Sequence, residues 1–405
     1  MCCDAPWSLP VSSHDAELLV QNRRRAVALR RSPVLSSSTA LVHDYLLVMR
    51  GAERTFAAIS DCWPDAPIFT LLYDRDGTNG AFAARSIHTS YLQRLPLRQS
   101  SFRLMLPLFP RAAERLPVSE YDLVVSSTSA FAHGVIARPE AMHVAYCYTP
   151  LRYAWHERER GLAEAPRALR PALGRILERV RAWDLAAARR VTHYIAISEL
   201  SRQRIQDFYG RDATIVHPPV AVERFSVGEP EDFFLVVSEL VRHKRIDNAL
   251  AAARRAGKPI KVVGGGPELS RLRREYGDRA TFLGRRSDSE LADLSQRAIA
   301  LVVPNVEEFG IAAVEAQAAG RPVLAADAGG ARETVVPGQT GVLVPPEDID
   351  ALAEGMAETD WGGFDPQAIR QHARRFSTEA FKQRFTATVA ELAGVEPSGA
   401  SDAST

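Results

Sequence analysis

Between Ile299 and Ala326 two short apolar runs, Ile299-Ala300-Leu301-Val302-Val303-Pro304 and Pro322-Val323-Leu324-Ala325-Ala326, flank a segment whose Ile311, Val314 and Ala318 fall at helical spacing. Strands joined through a helix pair in parallel, and a parallel sheet needs helices over both faces. The same alternation runs along most of the chain. Strands are expected at Thr39–Tyr45, Asp122–Ser127, His143–Tyr148 and Tyr194–Ser198, then at Phe233–Val237, Ile260–Val263, Ala280–Leu283 and Gly341–Val344. It breaks once, at His217-Pro218-Pro219, where two prolines stop regular structure. The expected fold class is therefore α/β, with two doubly wound domains facing a cleft and ligands at the carboxyl ends of the strands.

A chain of 405 residues can fill two such cores. Its 50 Lys and Arg against 49 Asp and Glu leave no global attraction to nucleic acid. Four cysteines make no disulfide scaffold and no metal-binding pattern, which suits a reducing, cytoplasmic setting. No apolar run is long enough for a membrane span. Residues 1–38 are expected to be a flexible leader and 395–405 a disordered tail. The arginines between 167 and 191 read first as a solvated helix face, and second as contact with an anionic acceptor or the inner membrane surface.

Several constellations carry chemistry. Glu307 and Glu315 lie on either side of a helix start, and Glu315 sits beside the apolar stripe. A carboxylate there is costly unless something hydrogen-bonds it, which points to a polar ligand. Free N–H groups near Gly310 suit a phosphate. Lys244 and Arg245 follow a strand at a helix start, as cations for a diphosphate would. Gly264 and Gly266, after another strand, allow close backbone approach but lack full dinucleotide-binding spacing. Gly329 and Gly330 form a second such turn. Asp74 and Asp76 have a metal-binding form but read better as turn formers, so no metal site and no cofactor are expected.

Together with Val42-His43-Asp44-Tyr45, Gly51-Ala52-Glu53-Arg54, Tyr121–Ser127, Thr149–Trp155 and His217-Pro218-Pro219-Val220, these pieces resemble the retaining glycosyltransferases of family four, closest to their mannosyltransferase-like branch. The resemblance spans about residues 40 to 390. It implies a GT-B fold: an amino-terminal, acceptor-side Rossmann-like domain over 39–216 and a nucleotide-sugar-binding one over 221–375. A terminal helix over 376–394 would pack back on the first. It implies that Glu315 accepts hydrogen bonds from the nucleotide ribose, that Glu307 faces the donor sugar with the N–H groups of Phe309, Gly310 and Ile311, and that Lys244 neutralises the diphosphate. Gly51 would let the amino-domain loop close on the donor, with Arg245, Gly264 and Gly266 on the donor side. Ser129, Tyr148, Arg152 and Tyr153 would lie on the acceptor side, and Glu307, Lys244 and Tyr148 would be the catalytic set.

Four positions depart from the family pattern: Arg50 replaces a glycine, Ser129 and Tyr148 replace histidines, and Glu239 replaces a phosphate-binding arginine. A carboxylate 4 Å from a phosphate charge costs on the order of 1–4 kcal/mol; either Arg242 or Arg245 substitutes for the arginine, or the donor sits differently. The expected function is metal-independent, retaining glycosyl transfer from a nucleotide sugar, GDP-sugar favoured. The acceptor would be a small or lipid-linked molecule, with a specialised metabolite or a sulphur nucleophile suggested by Tyr148. The alternatives are a non-catalytic nucleotide-binding or partner protein and another GT-B enzyme, an epimerase or phosphorylase.

Overall fold

In the computed structural model, which describes residues 38–95 and 105–394, the strands form two separate parallel sheets. The expected leader lies outside the described residues except for Ser38, and the expected tail lies wholly outside them. The first sheet contains β1 (Thr39–His43), β2 (Ile68–Thr70), β3 (Ile87–Thr89), β4 (Leu123–Thr128), β5 (Met142–Cys147), β6 (His193–Ala196) and β7 (Ala213–Ile215), in the order β3-β2-β1-β4-β5-β6-β7. The second contains β8 (Phe234–Val237), β9 (Ile260–Val263), β10 (Ala280–Gly284), β11 (Leu301–Val303), β12 (Val323–Ala326) and β13 (Gly341–Val344), in the order β10-β9-β8-β11-β12-β13. Each order reverses beside the first strand of its sheet. That is where a doubly wound sheet opens a crevice at its carboxyl ends.

The apolar runs read as strands become the sheet centres. Every residue of β4 and β5 is buried, as covering both faces of a parallel sheet requires. Helices cover those faces, and Ser198 caps Glu199–Tyr209 by accepting from the Ser201 N–H. The arginine-rich region forms one helix, Arg170–Arg190, with Leu177, Val180 and Ala187 buried and Arg175, Arg179 and Arg181 exposed. Among the described residues no helix is long and apolar enough to cross a membrane.

The Thr378–Leu392 helix returns to the first sheet's domain. Phe385 is fully buried there, edge-on to Trp63 (6.0 Å) and Tyr146 (5.5 Å). Lys382 pairs with Asp61 at 2.7 Å. The two chain crossings between domains meet: the Val220 N–H donates to the Phe376 carbonyl (2.8 Å), and Val220 forms a parallel bridge with Ser377.

Candidate active site in the interdomain cleft

Past the end of β11 the chain reaches Glu307 and turns into the Ile311–Ala318 helix at Gly310, whose φ of +91° is left-handed and suits glycine. Lys244 ends a 3₁₀ turn, Arg242–Lys244, that follows β8. The two strands are neighbours, so both side chains arrive at one place. Lys244 Nζ lies 2.6 Å from each Glu307 carboxylate oxygen, and Asn305 Nδ2 donates to Glu307 Oε1 at 3.0 Å. The Gly329-Gly330 turn braces this loop, with the Gly330 N–H donating to the Glu307 carbonyl (2.9 Å). Gly264 and Gly266 belong to a similar brace, in which the Leu240 N–H donates to the Gly265 carbonyl (3.0 Å).

Glu315 stands one helical step along from this pair. Among the described residues its carboxylate meets no hydrogen-bond donor. Burial pushes its carboxyl up to about 7, against the pull of Arg224 and Arg54 and with a further push from Asp288. The domains touch here: a Cβ on Gly51 would lie 3.0 Å from Ile311 Cδ1, so the opening of the Gly51–Asp61 helix rests on the start of the Ile311–Ala318 helix. Phe309 is buried against His217 (5.4 Å) and Phe376 (5.5 Å). Glu333 accepts from the Glu199 N–H and contacts His217 Nε2, both at 2.9 Å.

On the amino-terminal side Tyr148 turns its hydroxyl inward. Its hydroxyl donates to the Ala52 carbonyl (2.9 Å) and contacts Ser127 Oγ (2.8 Å). Burial drives the phenol above its ordinary value, so it does not titrate near neutrality. Tyr148 is an anchor under the Gly51–Asp61 helix, and its identity says little about the nucleophile. Ser129 is likewise engaged: its N–H donates to Asp44 Oδ2 (2.6 Å), one of several bonds by which buried Asp44 holds the loop after β4. Tyr153 is exposed beside Gly161. Arg152 does reach the cleft, 3.2 Å from Glu308. Asp74 Oδ1 accepts from the N–H groups of Asp76 (3.0 Å) and Gly77 (3.1 Å), as a turn former does.

Three ion pairs are not legible in the sequence. Glu308 also pairs with Arg204 (2.9 Å), and Asp288 pairs with both Arg54 and Arg224 (3.0 Å each). The departures at Arg50 and Glu239 meet as well, 4.0 Å apart across the cleft. Arg50 therefore places a cation beside Glu239, both side chains being exposed. The Lys244–Glu307 pair lies between two cavities. The smaller, about 120 Å³, is lined by the ends of β8 and β11, Glu307 and Gly310; the larger, about 660 Å³, is lined by Lys244, Glu308 and residues of the amino-terminal domain.

The model named Glycosyltransferase Family 4 matches residues 49–224, and that named Glycosyl transferases group 1 matches residues 221–374. The chain belongs to the family-four glycosyltransferases. Its relatives within that family bear different names. A glycogen synthase of Mycobacterium tuberculosis is 35% identical over 179 residues, covering 42% of this chain and 41% of that one. A GDP-mannose-dependent alpha-(1-6)-phosphatidylinositol monomannoside mannosyltransferase of the same species is 31% identical over 196 residues, covering 40% and 51%. A D-inositol 3-phosphate glycosyltransferase of Mycolicibacterium smegmatis is 32% identical over 214 residues, covering 45% and 49%. The family-four chain thus spans about half, or less, of the curated relatives it matches. Among solved structures, Anabaena HepE in complex with UDP and glucose aligns with a TM-score of 0.65 at 19% identity, over 87% of this chain and 100% of that one. Sucrose-phosphate synthase of Thermosynechococcus elongatus gives 0.65 at 19%, over 87% and 98%. At such identities the likeness is one of fold, and the fold of this glycosyltransferase is GT-B.

Proposed function

We propose that this chain transfers a glycosyl group from a nucleotide sugar to an acceptor in the cleft, with retention of configuration, without a metal, and with a GDP-sugar as the favoured donor. The observation that carries the reading is the pairing of Lys244 with Glu307 just before a helix start, with Glu315 about one turn inside that same helix and its carboxylate, among the described residues, without a hydrogen-bond donor. A nucleoside ribose supplies two hydroxyl donors to such a carboxylate. Glu307 then faces the sugar, and Lys244 and the N–H groups beyond Gly310 face the diphosphate. The bond between the anomeric carbon and the diphosphate oxygen breaks, and the acceptor heteroatom bonds that carbon on the same face. Its proton passes to the departing diphosphate oxygen, whose growing charge Lys244 stabilises. No protein base is needed, which agrees with the inward commitment of Tyr148. The GDP-mannose dependence in one relative's name supports a GDP donor; the UDP bound to the Anabaena neighbour is the reason to test both.

The test is a thermal-shift comparison of GDP, UDP and ADP. The preferred nucleotide at one hundred times its Kd stabilises the protein by about 2.7 kcal/mol, and Glu315→Ala abolishes the shift. Absence of a shift with every nucleotide overturns the reading. The anomeric configuration of the product, read by NMR with the donor so identified, decides retention.

A further inference from the structure

We infer that the amino-terminal domain positions the donor loop, residues 306–310, through the start of its Glu199–Tyr209 helix, and that Glu333 and Leu200 are the positioning residues. The inference rests on the transferase reading and adds the contacts by which one domain sets the geometry of the other's site.

The helix meets the carboxy-terminal domain at three levels. At its start the Ser198 side chain satisfies the Ser201 N–H, and the Glu199 N–H has no partner within the helix. Glu333 supplies one from the other domain, its Oε1 accepting at 2.9 Å. A carboxylate suits the positive end of a helix. At the next residue, Leu200 lies against the Gly329-Gly330 turn, where Gly329 has a φ of +57°. A Cβ on Gly329 would lie 3.2 Å from Leu200 Cδ2 and 2.8 Å from Val306 Cγ1, and would strike the Glu307 carbonyl. One turn further on, Arg204 pairs with Glu308 at 2.9 Å. Val306, Glu307 and Glu308 are thus reached from the amino-terminal domain, directly or through a two-glycine turn.

Behind the loop Glu333 acts a second time. Its Oε2 lies 2.9 Å from Nε2 of His217, in the linker. The His217 ring stacks on Phe309 at 5.4 Å and 28°. Gly330 closes on the same residue, so that a Cβ there would strike the Phe309 Cα and carbonyl. Phe309 is buried and also packs edge-on against Phe376. A side chain so confined moves only if its neighbours move, and its backbone leads straight into Gly310 and the N–H groups assigned to the diphosphate.

Glu333, Leu200 and His217 line neither of the two cleft cavities, and both carboxylate oxygens of Glu333 are engaged by protein. Their action on a ligand is therefore through the loop. The same helix also holds the acceptor-side segment. Ser201 Oγ donates to the Tyr148 carbonyl (2.6 Å), and Arg204 donates to Thr149 Oγ1 (3.2 Å). One element thus fixes the spacing between the two loops that border the cleft.

The experiment titrates the full chain with GMP and GDP, and with UMP and UDP, by calorimetry. A monophosphate engages Glu315 without the distal phosphate; the diphosphate adds the N–H groups of the loop. In the base series that binds, Glu333→Ala and Leu200→Ala are each expected to weaken the diphosphate about five- to tenfold and to leave the monophosphate within about twofold. Glu333→Gln keeps an oxygen for the Glu199 N–H and is expected to restore most of the loss. The double variant is expected to lose about as much as the worse single one, because both residues act on one loop. A general loss of folding would weaken mono- and diphosphate alike, and that result overturns the inference. So does a native ratio of the two affinities in both single variants, which leaves the transferase reading standing. A wild-type protein that binds neither series overturns the transferase reading itself.

Discussion

Glu315 holds its charge at a cost in the free protein. Its folded value near 7 lies above its ordinary value of 4.5, so between those pH values the folded state keeps a proton that the unfolded chain has released. The stability this group contributes is fully present below about pH 4.5 and is lost as pH rises through 7. Glu315→Gln is therefore expected to stabilise the nucleotide-free protein by about 1–3 kcal/mol at pH 8 and to change little at pH 4.5. Urea denaturation at the two pH values measures this; equal effects at both would remove the linkage. If ribose hydroxyls donate to the ionised form as proposed, nucleotide affinity of the native protein rises from pH 6 to 8 and levels off. Glu307, Glu315 and Lys244 were legible because their spacing places them at strand ends and a helix start. The inward direction of the Tyr148 hydroxyl was not legible, because sequence shows which group is present but not where it points. Glu308 and Arg204 were invisible as a pair, since they lie 104 residues apart and meet only through the fold.

The Ile311–Ala318 helix is short and mostly buried, so the direction of its first turn is set by the loop that launches it. Gly310 sets that direction with a backbone an L-residue adopts at a cost of about 1–2 kcal/mol. Gly310→Ala should reduce stability by about that much and should also weaken nucleotide binding, because any relief of the strain turns the free N–H groups off the diphosphate. Chemical denaturation and a nucleotide titration on the same variant check the two effects; lost stability with native affinity would show that the turn matters only for folding. The long strands at the sheet centres were readable from apolar runs. The strands β2, β3 and β7, three residues each, were not. A period of two needs more than three residues to show, and these strands exist because an adjacent strand offers them hydrogen bonds.

At the scale of the molecule, the ion pairs across the cleft share one polarity. Arg50, Arg54, Arg152, Arg204 and Arg224 face Glu239, Asp288 and Glu308, cations from the amino-terminal side and the linker against carboxylates of the carboxy-terminal domain. Exposed pairs are worth about 0–1 kcal/mol each and weaken in salt. Asp288 engages two arginines at once, so Asp288→Ala should open the free protein, raising its radius of gyration in small-angle scattering as molar salt does in the wild type. Nucleotide should close both again; a radius that ignores mutation and salt would mean that the apolar contacts at Gly51 and Phe309 hold the halves unaided. How far opening can go depends on the joint. The halves are connected by two chain segments, and these are hydrogen-bonded to each other at Val220, Phe376 and Ser377. A single tether would permit swivel, tilt and translation alike. Two tethers fastened side by side behave as a door hinge, leaving one easy axis. Each opening and closing of the cleft then retraces the same arc and returns Lys244, Glu307 and the arginines of the facing wall to register without a search.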